Sequence, residues 1–236
     1  MQTLLEDLVK SNRILAHERV VDDFGHISMR HPDRPDRFFL SWAISPARVT
    51  RDDIVEYDLD GAPQSDLAGR RSYSERVIHA AIYAARPDVM AVCHHHSSAM
   101  IPFASSTMPL RPVYHLGAVM GAHVPVWDSR PEFGDTSLLV DDMPKARSLA
   151  TALGENNLVL LRRHGVVVVG KSLKETVFTA IYASENAAMQ QQALAMGEVS
   201  YLSPGEIEKS AALNLSPLGI DRSWPNRCIR AGLQPD

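Results

Sequence analysis

Residues 89–93, Val-Met-Ala-Val-Cys, form an apolar run that leads without a break into His94, His95 and His96. A short continuous apolar run of this kind is the pattern of a buried strand. The chain must therefore carry imidazoles into or beside a hydrophobic core. Side chains alternate along a strand, so His94 and His96 share one face and His95 takes the other. Two imidazoles at i and i+2 on one face make a metal-chelating pair. A third ligand must come from elsewhere. His164 is the strongest candidate: it lies between the apolar stretches 158–161 and 166–169, and Gly165 beside it permits close backbone approach. Three protein nitrogens leave positions open on an ion, which is the catalytic arrangement. The alternative is a polar surface turn, and the apolar run ahead of His94 weighs against it.

The 236 residues suffice for one large domain, residues 1–236, with Pro and Gly scattered as punctuation and no linker. A net charge of −4 without a basic block argues against nucleic acid as a partner. No apolar run approaches the roughly 20 residues that span a bilayer. The first segment carries Glu6, Asp7 and Glu18 and does not read as a signal peptide. Cys93 and Cys228 offer no disulfide framework, so a cytoplasmic location is expected. Lysine occurs only at positions 10, 145, 171, 174 and 209, all in polar helix or turn contexts. Schiff-base chemistry has no obvious lysine to use.

Periodicity predicts helices over 4–19, from the Ser72 capping box to near 86–87, over 142–153, from 172 toward 196 and from 203 onward. Ser72-x-x-Glu75 and Ser172-x-x-Glu175 have the capping-box pattern. Strands are predicted over 38–41, 55–59, 89–93, 158–161 and 166–169. This order suggests an α/β sandwich with helices covering a central mixed sheet.

Glu75 at a helix start, Ala-Arg-Pro-Asp at 85–88, Ala-Val-Cys-His-His-His-Ser at 91–97 and Arg-His-Gly at 163–165 together resemble the class II aldolase/adducin family, from about residue 17 to 192. The resemblance implies a three-layer α/β/α fold and one divalent ion per subunit on His94, His96 and His164. It also implies Glu75 as fourth ligand or acid–base group, and a homotetramer with sites between subunits. Zn, Mn, Co and Fe all accept this ligand set.

Departures from the family's sugar-phosphate enzymes bear on the substrate. The early phosphate turn of those enzymes corresponds to Asp23-Phe24-Gly25-His26-Ile27-Ser28, with His26 where a small residue would sit. Their second phosphate segment corresponds to the bulkier Ser41-Trp42-Ala43-Ile44-Ser45-Pro46, and their tyrosine acid to Leu116 after His115. These changes suit a flat aromatic acid. They are similar to the branch that decarboxylates hydroxy-aromatic dicarboxylates.

His26 and His115 are the next candidates, as substrate ligands or proton carriers, against a role as backbone-bonded buried histidines. Ser41 and Ser74 are candidates to bind a substrate carboxylate, Ser74 from a helix N-terminus. Tyr73 is weighed between substrate contact and packing. Arg71 and Arg163 are weighed between a second carboxylate and solvent. Trp42 and Cys93 read as packing residues, and the tail around Trp224 and Cys228 covers the pocket or a subunit contact. The expected function is a metal-dependent, non-oxidative decarboxylase of an ortho-hydroxy aromatic (di)carboxylate, with Glu75 or His115 moving protons. One rival is a retro-aldolase of a hydroxy acid or sugar phosphate. Another is a non-catalytic adducin-like module, which would be expected to lose the ligands that this chain retains.

Overall fold

The computed structural model describes residues 2–235. Its elements in chain order are helix α1 (Gln2–His17), strands β1 (His26–Arg30), β2 (Arg37–Ser41) and β3 (Ile54–Asp58), helix α2 (Arg76–Ala85) and strand β4 (Ala91–His95). There follow the short α3 (Ile101–Ala104), the two-residue β5 (Val126–Trp127), the short α4 (Arg130–Phe133), α5 (Met143–Leu153), β6 (Leu158–Leu161) and β7 (Gly165–Gly170). Helices α6 (Leu173–Met196), α7 (Pro204–Asn214) and α8 (Pro217–Arg230) complete the described chain. No helix among the described residues is long and apolar enough to cross a membrane.

The seven strands form one sheet in the order β3-β2-β1-β4-β7-β6-β5. All pairs are antiparallel except β5 with β6, so the sheet is mixed. Alternation divides the core in two. Ile27, Met29, Ala91, Cys93, Val166 and Val168 face one layer, which includes Leu8, Ile14, Val177, Ile181 and Trp224 from α1, α6 and α8. Phe38, Leu40, Val92, Val167 and Val169 face the other, built with Val77, Ile78, Ile82 and Leu149 from α2 and α5. The three-layer sandwich follows from these two apolar faces needing separate cover. Trp42 and Tyr73 pack at the edge of the second layer.

Several elements differ from the sequence-based expectations. Helix α2 begins one residue after Glu75, so Ser72 lies outside it and the expected capping box does not form; Ser72 Oγ accepts a hydrogen bond from Tyr57 at 2.9 Å instead. At α6 the Ser172 side chain does accept from the Glu175 N–H, at 3.1 Å. The tail is helical: in α8, Trp224 and Cys228 are buried, and Arg227 pairs with Glu18 of the α1 exit at 2.7 Å. Strand β1 had no predicted counterpart, although it pairs directly with β4 and so flanks the histidine strand.

Candidate metal centre

Glu75 is the N-cap residue of α2 but makes no cap with its side chain. Its carboxylate turns inward instead, and Oε1 accepts the Val140 N–H at 2.9 Å. That bond orients the group and leaves Oε2 free. Had the capping box formed, the carboxylate would be spent on the backbone of its own helix.

The three histidines approach Oε2 from two loops and a strand. His94 lies in β4, and its Nδ1 donates to the Val166 carbonyl at 3.0 Å. Donation to a carbonyl requires Nδ1–H, so Nε2 is an unprotonated lone pair in the neutral ring. That Nε2 is buried, has no hydrogen-bond partner and lies 3.5 Å from Glu75 Oε2. His96, one residue beyond β4, donates Nδ1–H to both oxygens of Asp22 at 3.1 Å. Asp22 is itself held by accepting the N–H groups of Phe24 and Gly25 at 2.9 Å. His164 stands in the turn between β6 and β7, with Nε2 3.3 Å from His96 Nε2 and 3.7 Å from Glu75 Oε2. Gly165 is required by this approach. A Cβ there would lie 2.6 Å from the His95 carbonyl and 2.9 Å from the His96 ring.

One ligand atom from each of Glu75, His94, His96 and His164 lies within 4.8 Å of the others. Burial alone would raise the Glu75 carboxyl, but the charges of His94 and His164 and the Val140 N–H outweigh it and hold the group at about 2. Burial pushes His164 down to about 4 and lowers His96. At neutral pH Glu75 is therefore a carboxylate, and His96 and His164 are neutral donors. Ligands held about 2.1 Å from one ion at tetrahedral angles lie about 3.4 Å apart, close to the observed spacings. Two facing lone pairs, His94 Nε2 and Glu75 Oε2, repel each other unless a cation lies between them. The residues thus fit a divalent ion, and the Asp22 carboxylate and Val166 carbonyl orient two of the rings from behind.

The other candidate residues divide into two groups. His26 pairs with His94 across β1 and β4, and the ring centroids are 5.3 Å apart. Tyr73 lies 4.5 Å from His26 on its other side, with its hydroxyl bonded to the Ile44 carbonyl. Ser41 is buried at the end of β2, beside the Tyr73 hydroxyl. His26 thus adjoins the metal-site donors, and Tyr73 and Ser41 follow behind it. Ser74 is exposed on the approach to α2. Arg163 is not brought in: its φ of 56° makes the tight turn that delivers His164, and its exposed side chain lines a separate cavity of about 250 Å³ with Ser105, Ser106 and Thr107. Within one chain His115 also stands apart. It lines a cavity of about 560 Å³ with Tyr182, Asn214, Arg222 and Arg227, and its carbonyl is tied to Asn214 at 2.8 Å. His95 is fully buried on the opposite sheet face, where burial holds it at about 3. Trp42 donates its indole N–H to Asp53 at 2.6 Å.

Three contributors escaped the sequence-based assignment. Asp22 and the Val140 N–H are loop groups without a pattern. His79 sits in an apolar helical stretch where a core role is the default. Its contact with His26 appears only in the fold.

The class II aldolase and adducin N-terminal domain model matches residues 6–191, leaving α7 and α8 beyond it. Decarboxylase tropJ of Talaromyces stipitatus is 31% identical over 232 residues, covering 89% of this chain and 87% of that protein. The 3,4-dihydroxyphthalate decarboxylase of Terrabacter sp. is 26% identical over 238 residues, covering 93% of each. Among solved structures, L-fuculose 1-phosphate aldolase from Glaciozyma antarctica superposes with a TM-score of 0.79 at 23% identity, over 97% of this chain and 88% of that one. With a family match over most of its length, a mixed seven-stranded sheet and four converging donors at the ends of its central strands, this chain belongs to the class II aldolase and adducin family.

Proposed function

We propose that this protein is a divalent-metal-dependent, non-oxidative decarboxylase of an ortho-hydroxy aromatic carboxylate or dicarboxylate. The observation that carries the proposal is the buried, unpaired His94 Nε2 facing a Glu75 oxygen, with His96 and His164 completing the set. The decarboxylase names of relatives at 26–31% identity support the reaction class. His26, with Tyr73 packed against it, puts aromatic rings next to His94, an environment that suits a flat substrate.

A bound divalent ion would supply Lewis acidity toward a phenolic oxygen and its neighbouring carboxylate. The protein's own part is proton handling. Glu75, ionised at rest, accepts the ortho-hydroxyl proton and returns it to the ring carbon that bears the carboxylate. The bond from that carbon to the carboxylate then breaks, CO2 leaves with the ring recovering its electron pair, and water reprotonates the oxygen. His115 is retained as a proton carrier only in an assembly where a neighbouring subunit brings it to the donors.

We propose a homotetramer in the cytoplasm, on the strength of the family membership. Incubation of metal-loaded protein with a panel of hydroxy-aromatic mono- and dicarboxylates is the test. CO2 and a phenol that keeps its ortho hydroxyl are the expected products. An aldehyde from carbon–carbon cleavage without CO2 release would replace this proposal with an aldolase.

A further inference from the structure

A row of polar side chains crosses the otherwise apolar layer between β1 and α2. His26 Nδ1 is 2.7 Å from His79 Nε2, and His79 Nδ1 is 2.6 Å from Ser28 Oγ. Ser28 Oγ is in turn 2.8 Å from the Tyr83 hydroxyl. All four residues are at most 1% exposed. Phe38 lies against both His79 and Tyr83, and the Arg30 guanidinium sits 4.7 Å over the Tyr83 ring. Full burial disfavours a charge on either imidazole.

A neutral chain of this kind has two self-consistent directions, and proton counting separates them. In the first, Tyr83 donates to Ser28, Ser28 donates to His79 Nδ1, and His79 Nε2–H donates to His26 Nδ1. His26 then keeps its proton on Nε2. In the second direction every bond is reversed, and the phenolic proton of Tyr83 must find another acceptor. The other group bonded to that phenol oxygen is the Val92 N–H, which is a donor. A buried O–H without an acceptor disfavours the second direction by about tenfold or more.

We infer that Tyr83, Ser28 and His79 are positioning residues that lock His26 in its Nε2–H tautomer, so that the site presents a neutral N–H donor to a carboxylate oxygen of the substrate. The His26 ring adjoins His94 and Tyr73. Fixed in this way, His26 binds an oxygen and cannot serve as the base. The role of His26 toward substrate rests on the functional proposal above; the tautomer does not.

The test uses zinc-loaded protein carrying ¹⁵N-histidine, with the His26 signals assigned by their loss in His26→Gln. Two-bond ¹H–¹⁵N correlations at pH 7 should show a protonated Nε2 and an unprotonated Nδ1. His79→Phe should give a mixed tautomer and raise KM for a hydroxy-aromatic dicarboxylate about tenfold, with a smaller fall in kcat. His79→Gln, whose amide can still donate to His26 Nδ1, should restore both readouts. Ser28→Ala provides a second, smaller perturbation with the same direction if His79→Phe does not fold. A wild-type His26 protonated on Nδ1 overturns the inference even if CO2 is released. The expected tautomer in a protein that decarboxylates nothing overturns the functional proposal and leaves the lock standing.

Discussion

His94 Nε2 faces Glu75 Oε2 across 3.5 Å, and in the neutral ring the one proton is committed at Nδ1 to the Val166 carbonyl 3.0 Å away, leaving a lone pair at Nε2. An arrangement of two lone pairs in a buried place is unfavourable alone and favourable around a cation. His94→Ala, His96→Ala or His164→Ala should each strongly reduce the metal content of purified protein, measured by elemental analysis. His95→Ala should leave it intact, since His95 lies on the other face of β4. Loss of metal from His95→Ala with retention in His94→Ala would mean the wrong face has been assigned.

Asp22 accepts the Nδ1–H of His96 through both oxygens at 3.1 Å. Asp22→Ala removes the group that orients this ligand without removing a ligand. Metal affinity should fall by about 10- to 100-fold, the range for such supporting partners. Competition with a chromophoric chelator measures it, and unchanged affinity would show that the His96 ring is held by packing alone.

Glu75→Gln keeps the shape of the side chain and its ability to accept from Val140 N–H, but it removes charge and basicity. Turnover should fall by at least about 10²-fold, the lower end for losing an acid–base group. Some metal should remain on the three imidazoles. In deuterated water the wild-type product should carry deuterium at the vacated ring carbon. A wild-type decarboxylation rate in Glu75→Gln would reduce Glu75 to a structural role.

Gly165→Ala places a methyl group 2.6 Å from the His95 carbonyl. Backbone cannot give way as a side-chain end can, so the strand pair must shift. A loss of about 1–3 kcal/mol in stability, typical of overpacking, should accompany weakened metal binding. Denaturant unfolding and metal titration of the same variant check both.

His79 and His95 are buried and neutral, each held at about 3 by burial, against about 6.5 in an unfolded chain. Between those values the unfolded state binds more protons than the folded one. Stability is therefore fully present above about pH 6.5 and falls as pH drops toward 3. Each group contributes up to about 1.4 kcal/mol per pH unit in that window. The Tm of metal-free protein should decline below pH 6.5, and His79→Gln should flatten the slope. An unchanged Tm from pH 7 to pH 5 would mean that these rings are protonated in the fold.

The sequence by itself determined the strand faces and the shared side of His94 and His96. The run at 89–93 must be buried, alternation then separates His95 from His94, and Gly165 marks the close passage of a second strand. Those are local consequences of pleat and hydrophobicity, and they survive although β4 itself ends at His95. Strand β1 was also legible in principle, since Ile27 and Met29 alternate with His26, Ser28 and Arg30. It was obscured because its polar face is buried too, against His79 and Tyr83 of α2. What only the tertiary structure decided are relations between groups far apart in the chain. Ser72 bonds Tyr57 rather than capping α2, which releases Glu75 to Val140 and the histidines. Arg163 turns outward because the turn that aims His164 inward needs a left-handed residue there. His115 is held on the α7 side by Asn214, away from the four donors in its own chain. Asp22, Val140 and His79 carry no signal in the residues around them. Their roles depend on hydrogen bonds spanning 53 to 74 positions, and only folding the sheet and its covering helices brings such partners within reach.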